Sequence, residues 1–236
     1  MFVWGCVVEW LRLVVINDNE PNPPLLSDWG WSVYVESRDW ALLFDAGARP
    51  EVIENNVRVL GVDLGRVGVA FLSHYHADHY GGFEYVGRVR GGLRVFVPEV
   101  DRVLGRWGLV PVVATQPVEI FRDVVTTGVM SGMGVNEHAL VIRLDNHGPV
   151  VIVGCSHPGI DNIVRRVYEL FGELYLVIGG FHGPSRYQLD FVAEHSRYVC
   201  PAHCSGRVAR RYVASRYPDK YCDVRTGTVL ELPFGE

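Results

Sequence analysis

Lysine is almost missing. Lys220 is the single one in 236 residues, arginine carries nearly all the positive charge, and the net charge is −5. A balance of that sign offers no basic stripe, so no nucleic-acid partner is expected. Long apolar runs are missing as well. None reaches the ~18 residues that a membrane-spanning helix needs, so no membrane association is expected. The opening MFVWGCVVEWLRLVVIND is apolar but interrupted by Glu9 and Arg12. It has neither a basic start nor a small-residue cleavage site and does not read as a signal peptide. Cysteine is sparse and odd in number: Cys6, Cys155, Cys200, Cys204 and Cys222. That set is no framework for a small secreted scaffold and points to a reducing, cytoplasmic setting. Cys200 and Cys204 lack the second pair that a zinc knuckle requires, and they read as ordinary buried or partly buried thiols. No linker, repeat or low-complexity tract divides the chain, so residues 1–236 read as one domain.

What is present is apolar and patterned. Hydrophobic residues make up 48% of the chain, ample for a well-buried interior. CVVEWLRLVVI reads as a strand, NDNEPNPPLLSDWG as a loop, and WSVYVESRDWALLFDAG as a hairpin turning near Arg38 and Asp39. RPEVIENNVRVLG switches to helical spacing, with Pro50 as a start and Gly61 as a stop. VGVAFLSH is almost wholly apolar, as a strand covered on both faces should be. LRVFVPE, PVVA and VEIF follow as strands, with a short helix in EVDRVLGRWG. ALVIRLDNHGPVVIVGCSH reads as a hairpin through Asn146–Gly148. DNIVRRVYELFG, SRYQLDFVAEHS and RVARRYVASRY read as helices, and LYLVIGGFH, YVCPAHCSG and TGTVLEL as strands or strand ends. Mixed strands and helices laid out twice imply two sheets face to face with helices outside.

The chemistry is concentrated in HYHADH, residues 74–79. Imidazole nitrogen and carboxylate oxygen are ligands of choice for zinc and similar divalent ions. His74 and His76, two residues apart in extended backbone, point the same way and can reach one ion. Asp78 and His79 face a second position close by, so this stretch can give two ligands to each ion of a dinuclear site. A catalytic zinc has three protein ligands plus water, and the remainder must come from other strand ends. His157, His182 and His203 each follow an apolar strand that breaks at small residues, as His74 does. They are the candidates to converge on the same sheet edge. Asp45 closes the strand WALLFDAG, where a buried carboxylate would accept the free ring N–H of a metal-bound histidine. His138, His147 and His195 lie at a strand start, a turn and a helix end, and read as structural.

The strand aspartate in LFDAG, the HYHADH motif and the later histidines in order together resemble the metallo-β-lactamase-fold superfamily. The resemblance implies an α/β (α+β) fold: an αββα four-layer sandwich of two mixed sheets flanked by helices, with metals along one edge. It implies that His74, His76 and His157 hold one metal, and Asp78, His79 and His203 the other. The superfamily often has an aspartate bridging both ions at the end of the next strand. This chain has GGFH there, and His182 takes that place. GCSHPG, GGFH and HCSG, with the early NDN and the WGWS stretch, are similar to a branch of 7,8-dihydropterin-6-yl-methyl-4-(β-D-ribofuranosyl)aminobenzene 5′-phosphate synthase-like proteins. Members of that branch often have a histidine where this chain has Trp29, and a threonine where it has Tyr80.

These readings define the expectations. Two Zn2+ ions per chain are expected, with Mn2+, Mg2+ or Fe as substitutes. The leading activity is hydrolysis of a small-molecule ester, lactone, thioester or phosphoester, with Asp78 and His182 as catalytic candidates. The alternative is a transferase in which an arylamine displaces pyrophosphate from a dihydropterin methylene. An iron-dependent redox enzyme or a non-enzymatic metal-binding protein stands behind these two. A homo-oligomer is compatible with the sequence.

Overall fold

The computed structural model describes residues 8–235, so the start of the expected first strand, Cys6 and Val7, lies outside the described residues. The first half of the chain contains β1 (Leu11–Asn17), β2 (Ser32–Glu36), β3 (Ala41–Phe44), α1 (Pro50–Leu60), β4 (Val67–Phe71), α2 (Ala77–Tyr80), α3 (Phe83–Val89), β5 (Arg94–Val97), α4 (Val103–Arg106) and β6 (Val110–Val113). The second half contains β7 (Glu119–Phe121), β8 (Val124–Thr126), β9 (Met130–Gly132), β10 (Val135–Glu137), β11 (Leu140–Leu144), β12 (Gly148–Val153), α5 (Ile160–Phe171), β13 (Leu174–Gly180), α6 (Arg186–His195), β14 (Ser196–Ala202), α7 (Gly206–Arg216) and β15 (Val229–Leu232).

Two large mixed sheets result. One has seven strands in the order β15-β1-β2-β3-β4-β5-β6, and the other six in the order β14-β13-β12-β11-β8-β7. Strand periodicity explains how they stack. In β1, Leu11, Leu13 and Val15 face the other sheet and join Leu140, Ile142, Ile152, Leu176 and Ile178 in the central core. Val14 and Ile16, on the opposite face, pack with Ile53 and Val57 of α1 and Phe83 and Val86 of α3. On the second sheet, Val151, Val153 and Val177 turn outward onto Ile163, Val167, Val192 and Val213 of α5, α6 and α7. The layers are therefore α, β, β, α.

Strand direction decides where chemistry collects. β3, β4, β5 and β6 pair in parallel, as do β12, β13 and β14. Parallel neighbours end on the same side, so the residues after Phe44, Phe71, Val153, Gly180 and Ala202 all emerge at sheet edges of one polarity. Four of the seven non-glycine residues with positive φ among the described residues lie just beyond these ends: Asp45, Ser156, His182 and His203. Left-handed backbone at ordinary residues is strained and tends to cluster at functional sites.

The expected helix over Arg49–Gly61 runs from Pro50 to Leu60, and Gly61 stops it at φ 66°. The reading missed the β9–β10 ribbon. It also took Cys200 for a thiol, whereas Cys200 is disulfide-bonded to Cys222. Twenty-two residues separate the two, but Tyr221 bridges Val199 beside them, which brings the sulfurs together. Cys155 and Cys204 are free.

Gly81 and Gly82, which follow the histidine motif after Tyr80, let α2 press against the 45–48 loop. A Cβ on Gly82 would stand 1.9 Å from Ala46 O, and one on Gly81 1.9 Å from Ala48 O. Ala46 N–H donates to His79 O (2.7 Å) across this contact. Gly82→Ala should therefore cost about 1–3 kcal/mol of stability, read as a lowered denaturant midpoint. An unchanged midpoint would contradict that close packing.

Candidate metal centre

β4 ends at Phe71, and Leu72 and Ser73 carry the chain to His74. His74 is fully buried, and its Nε2 faces His76 Nδ1 at 3.1 Å. The ring of His157, from the loop after β12, packs edge-on to both, 4.7 Å and 4.9 Å away between centroids. One ring nitrogen from each of these three lies within 4.8 Å of the others. A second trio stands beside it. Asp78 Oδ2 is 3.6 Å from His79 Nε2 and 3.3 Å from His203 Nε2, and these three donors also fall within 4.8 Å of one another.

The opposite side of almost every ring is tied down. Asp45, fully buried, accepts from Ser73 N–H (2.7 Å), Ser73 Oγ–H (2.7 Å) and His79 Nδ1–H (2.7 Å). With the Ser73 hydroxyl proton committed to Asp45, its oxygen accepts from His74 Nδ1–H (2.9 Å). One carboxylate thus fixes the ring of His79 directly and that of His74 through a hydroxyl. Glu137, at the end of β10, accepts His157 Nδ1–H (2.8 Å) and the backbone N–H groups of Cys155, Ser156 and His157. His203 Nδ1–H donates to Asn19 Oδ1 (3.0 Å), and His203 N–H to Asp18 Oδ1 (2.6 Å). In each case Nδ1 is spent and Nε2 points inward, the arrangement that second partners impose on metal-binding histidines.

Electrostatics agree with neutral rings around a charged oxygen. Burial, then the neighbouring His79, pushes His74 well below its usual value. Burial, then His203, brings His79 down to about 3. Burial alone would raise Asp78, but His203 and His79 outweigh it and hold the carboxyl well below its ordinary range. Burial pushes Asp45 up, with the Ser73 hydrogen bonds opposing. The thiol of Cys204 beside it, then burial, pushes the Cys155 thiol up.

The residues fit divalent cations. Two nitrogens ~2.0–2.1 Å from one tetrahedral ion stand roughly 3.3 Å apart, against 3.1 Å between His74 Nε2 and His76 Nδ1. His203 Nε2 is buried with no hydrogen-bond partner, despite lying 3.3 Å from Asp78. Orphaned buried nitrogens are costly unless something else takes the lone pair.

Asp45, His74, His76, Asp78, His79, His157 and His203 all meet here. His182 sits at the exposed mouth, its ring 4.5 Å from that of His157 and apart from the second trio. Glu137 and Ser73 were not singled out from the sequence, and Asp18, Asn19 and Cys155 entered only within the NDN and GCSHPG stretches of the resemblance, with no role assigned. A glutamate ending a short polar strand before the apolar ALVIRL, and the polar Asp18–Asn19 pair directly after LRLVVIN, were the available signals.

His138 lies close to the site but serves the core. It stacks on Phe71 (4.1 Å), and Nε2–H donates to Leu72 O (2.9 Å). Burial lowers its pKa from 6.5 to about 4. The folded state resists a proton that the unfolded chain accepts, so this contribution is full above pH 6.5 and is lost as pH falls towards 4. It amounts to about 3 kcal/mol. Denaturation midpoints followed across that window should fall less steeply in His138→Phe than in the wild type; parallel curves would contradict the assignment.

A four-layer sandwich with clustered histidines and carboxylates along one edge defines a class, and sequence comparison places the chain within it. The metallo-beta-lactamase superfamily model matches residues 30–159, and the chain belongs to that superfamily. The fold typically binds metal ions. A 7,8-dihydropterin-6-methyl-4-(beta-D-ribofuranosyl)-aminobenzene-5'-phosphate synthase from Methanocaldococcus jannaschii is 22% identical, over 89% of this chain and 92% of its own length. Among solved structures, Tm1679, a metal-dependent hydrolase of the beta-lactamase superfamily, superposes with a TM-score of 0.75 at 26% identity, covering 93% of this chain and 98% of its own. Zn(2+)-bound PqqB from Methylobacterium extorquens shares the fold at a TM-score of 0.59 and 10% identity, covering 93% and 99% of the two chains.

Proposed function

We propose that this protein is a metal-dependent hydrolase whose two cation positions are formed by His74, His76 and His157 and by Asp78, His79 and His203. The observation that carries this reading is the pair of donor trios, each within 4.8 Å, with Asp45, Glu137 and Asn19 holding the far sides of their rings. Bound divalent cations lower the pKa of water towards neutrality and draw charge from a carbonyl or phosphoryl oxygen under attack. Asp78, ionised and half-buried between His79 and His203, accepts a hydrogen bond from the attacking water and orients it. His182, at the mouth beside His157, hydrogen-bonds the departing side of the substrate. Buried His74 and His79 stay neutral and keep their inward nitrogens available. The substrate is a small ester, lactone, thioester or phosphoester. Chelator-stripped protein assayed on one compound of each type, before and after adding Zn2+ or Mn2+, tests this: activity should return with metal. Hydrolysis undiminished by stripping would contradict it.

A second reading is supported by the synthase relative and by Trp29. This ring is 59% exposed and lies 5.3 Å from His203, a free flat face at the site that suits a heterocycle such as a pterin. On that reading the same residues serve pyrophosphate displacement by an arylamine. Pyrophosphate release from a dihydropterin substrate, without turnover of simple esters, would favour it.

A further inference from the structure

We propose that Cys155 is a further metal ligand, its thiolate standing between the two cation positions; this rests on the dinuclear reading above. The sulfur is outside both trios but lies within reach of members of each. Cys155 Sγ lies within 4.8 Å of a ring nitrogen of His74 and of His157 on one side, and of His79 and His203 on the other. Its separation from His79 Nε2 is 3.2 Å. His203 Nε2, buried and without a hydrogen-bond partner, opens onto the same space.

The position follows from the strands. β12 and β13 run in parallel, with Val153 opposite Gly179, so the residues after Val153 emerge beside the end of β13. At that end stands Gly180, where no side chain fits. A Cβ there would meet Gly154 O at 2.5 Å and Cys204 Sγ at 2.6 Å. β13 therefore supplies no carboxylate from Gly180, and the neighbouring strand end supplies a sulfur instead. Loop 154–157 cannot drift, because Glu137 holds the N–H groups of Cys155, Ser156 and His157.

Charge gives the thiolate its purpose. The two trios present five neutral imidazoles and one carboxylate, Asp78, to two dications. A second anion shared between the positions offsets their mutual repulsion, and thiolate is a strong ligand for zinc-type ions. On loading, the Cys155 S–H proton leaves to solvent as the sulfur–metal bonds form, one proton per site, with no change of oxidation state. Cys204 Sγ also falls within 4.8 Å of Cys155 Sγ and of a His203 ring nitrogen, with its S–H towards Cys155 O at 3.8 Å, so the two cysteines must be told apart by substitution.

Cobalt-loaded protein tests this without reference to turnover. Wild-type chain and the Cys155→Ser and Cys204→Ser variants are stripped, reloaded with Co2+, checked for fold by circular dichroism and for cobalt per chain by mass spectrometry. Wild type and Cys204→Ser should show the near-ultraviolet thiolate-to-cobalt charge-transfer band, and Cys155→Ser should lose it. Two bound cobalt ions with no such band would overturn the Cys155 ligand while leaving the dinuclear site standing. A band that persists in folded Cys155→Ser, or disappears in Cys204→Ser instead, would also overturn it. Failure to bind cobalt at all would remove the dinuclear reading, and with it this one.

Discussion

His76→Ala should leave the fold standing and lower kcat/KM by roughly a hundredfold or more. His76 is exposed, unlike His74 and His79, so truncating it opens no core cavity and leaves little unsatisfied. Its Nδ1 nevertheless faces His74 Nε2 at 3.1 Å, and its ring is edge-on to that of His157. If these three hold a cation, removing one ligand withdraws several kcal/mol of charge stabilisation at the reacting atom, and every 1.36 kcal/mol is tenfold in rate. Thermal unfolding and kinetics on the same preparation separate the two effects. A near-normal midpoint with a collapsed rate is the expected pair; a near-normal rate would show that His76 takes no part in catalysis.

Glu137→Ala should do the reverse, failing first in stability. Its carboxylate is buried and accepts three backbone N–H groups and the His157 ring. Burial would raise its pKa, but the His157 hydrogen bond and nearby His74 bring it down to about 2, so it is an anion in the folded state. Truncation leaves four buried donors without an acceptor. Orphaned groups of this kind typically cost about 1–3 kcal/mol each, and breaking a buried charged pair about 3–5 kcal/mol. The expected loss is therefore at least about 3 kcal/mol in chemical denaturation, together with weakened metal binding through His157. Glu137→Gln, which keeps one acceptor oxygen, should fall between. Equal stability of all three proteins would contradict this account of the loop.

How much of this was legible beforehand depended on range along the chain. HYHADH declares itself because its donors are adjacent, and Asp45, His157 and His203 because each follows an unmistakable apolar run. The αββα layering followed from strands apolar on both faces and from amphipathic helices such as α5. Glu137 was not legible: β9 and β10 are three residues each, too short to show a period, and its role exists only once β10 meets the 155–157 loop. Ser73 carried no signal of its own, although its hydroxyl links Asp45 to His74. Cys155 carried no role in the sequence reading, since nothing local reveals that two sets of histidines surround it. The Cys200–Cys222 bond depends on chain return over 22 residues, which spacing alone does not predict.

The central claim is that this edge of the sandwich holds two cations. The most direct measurement is metal content per chain by mass spectrometry on untagged protein purified without chelators, with His203→Ala prepared alongside. The account predicts about two divalent ions per wild-type chain and about one in the variant, the first trio remaining intact. Wild-type protein that stays metal-free after incubation with zinc, manganese and iron would contradict it.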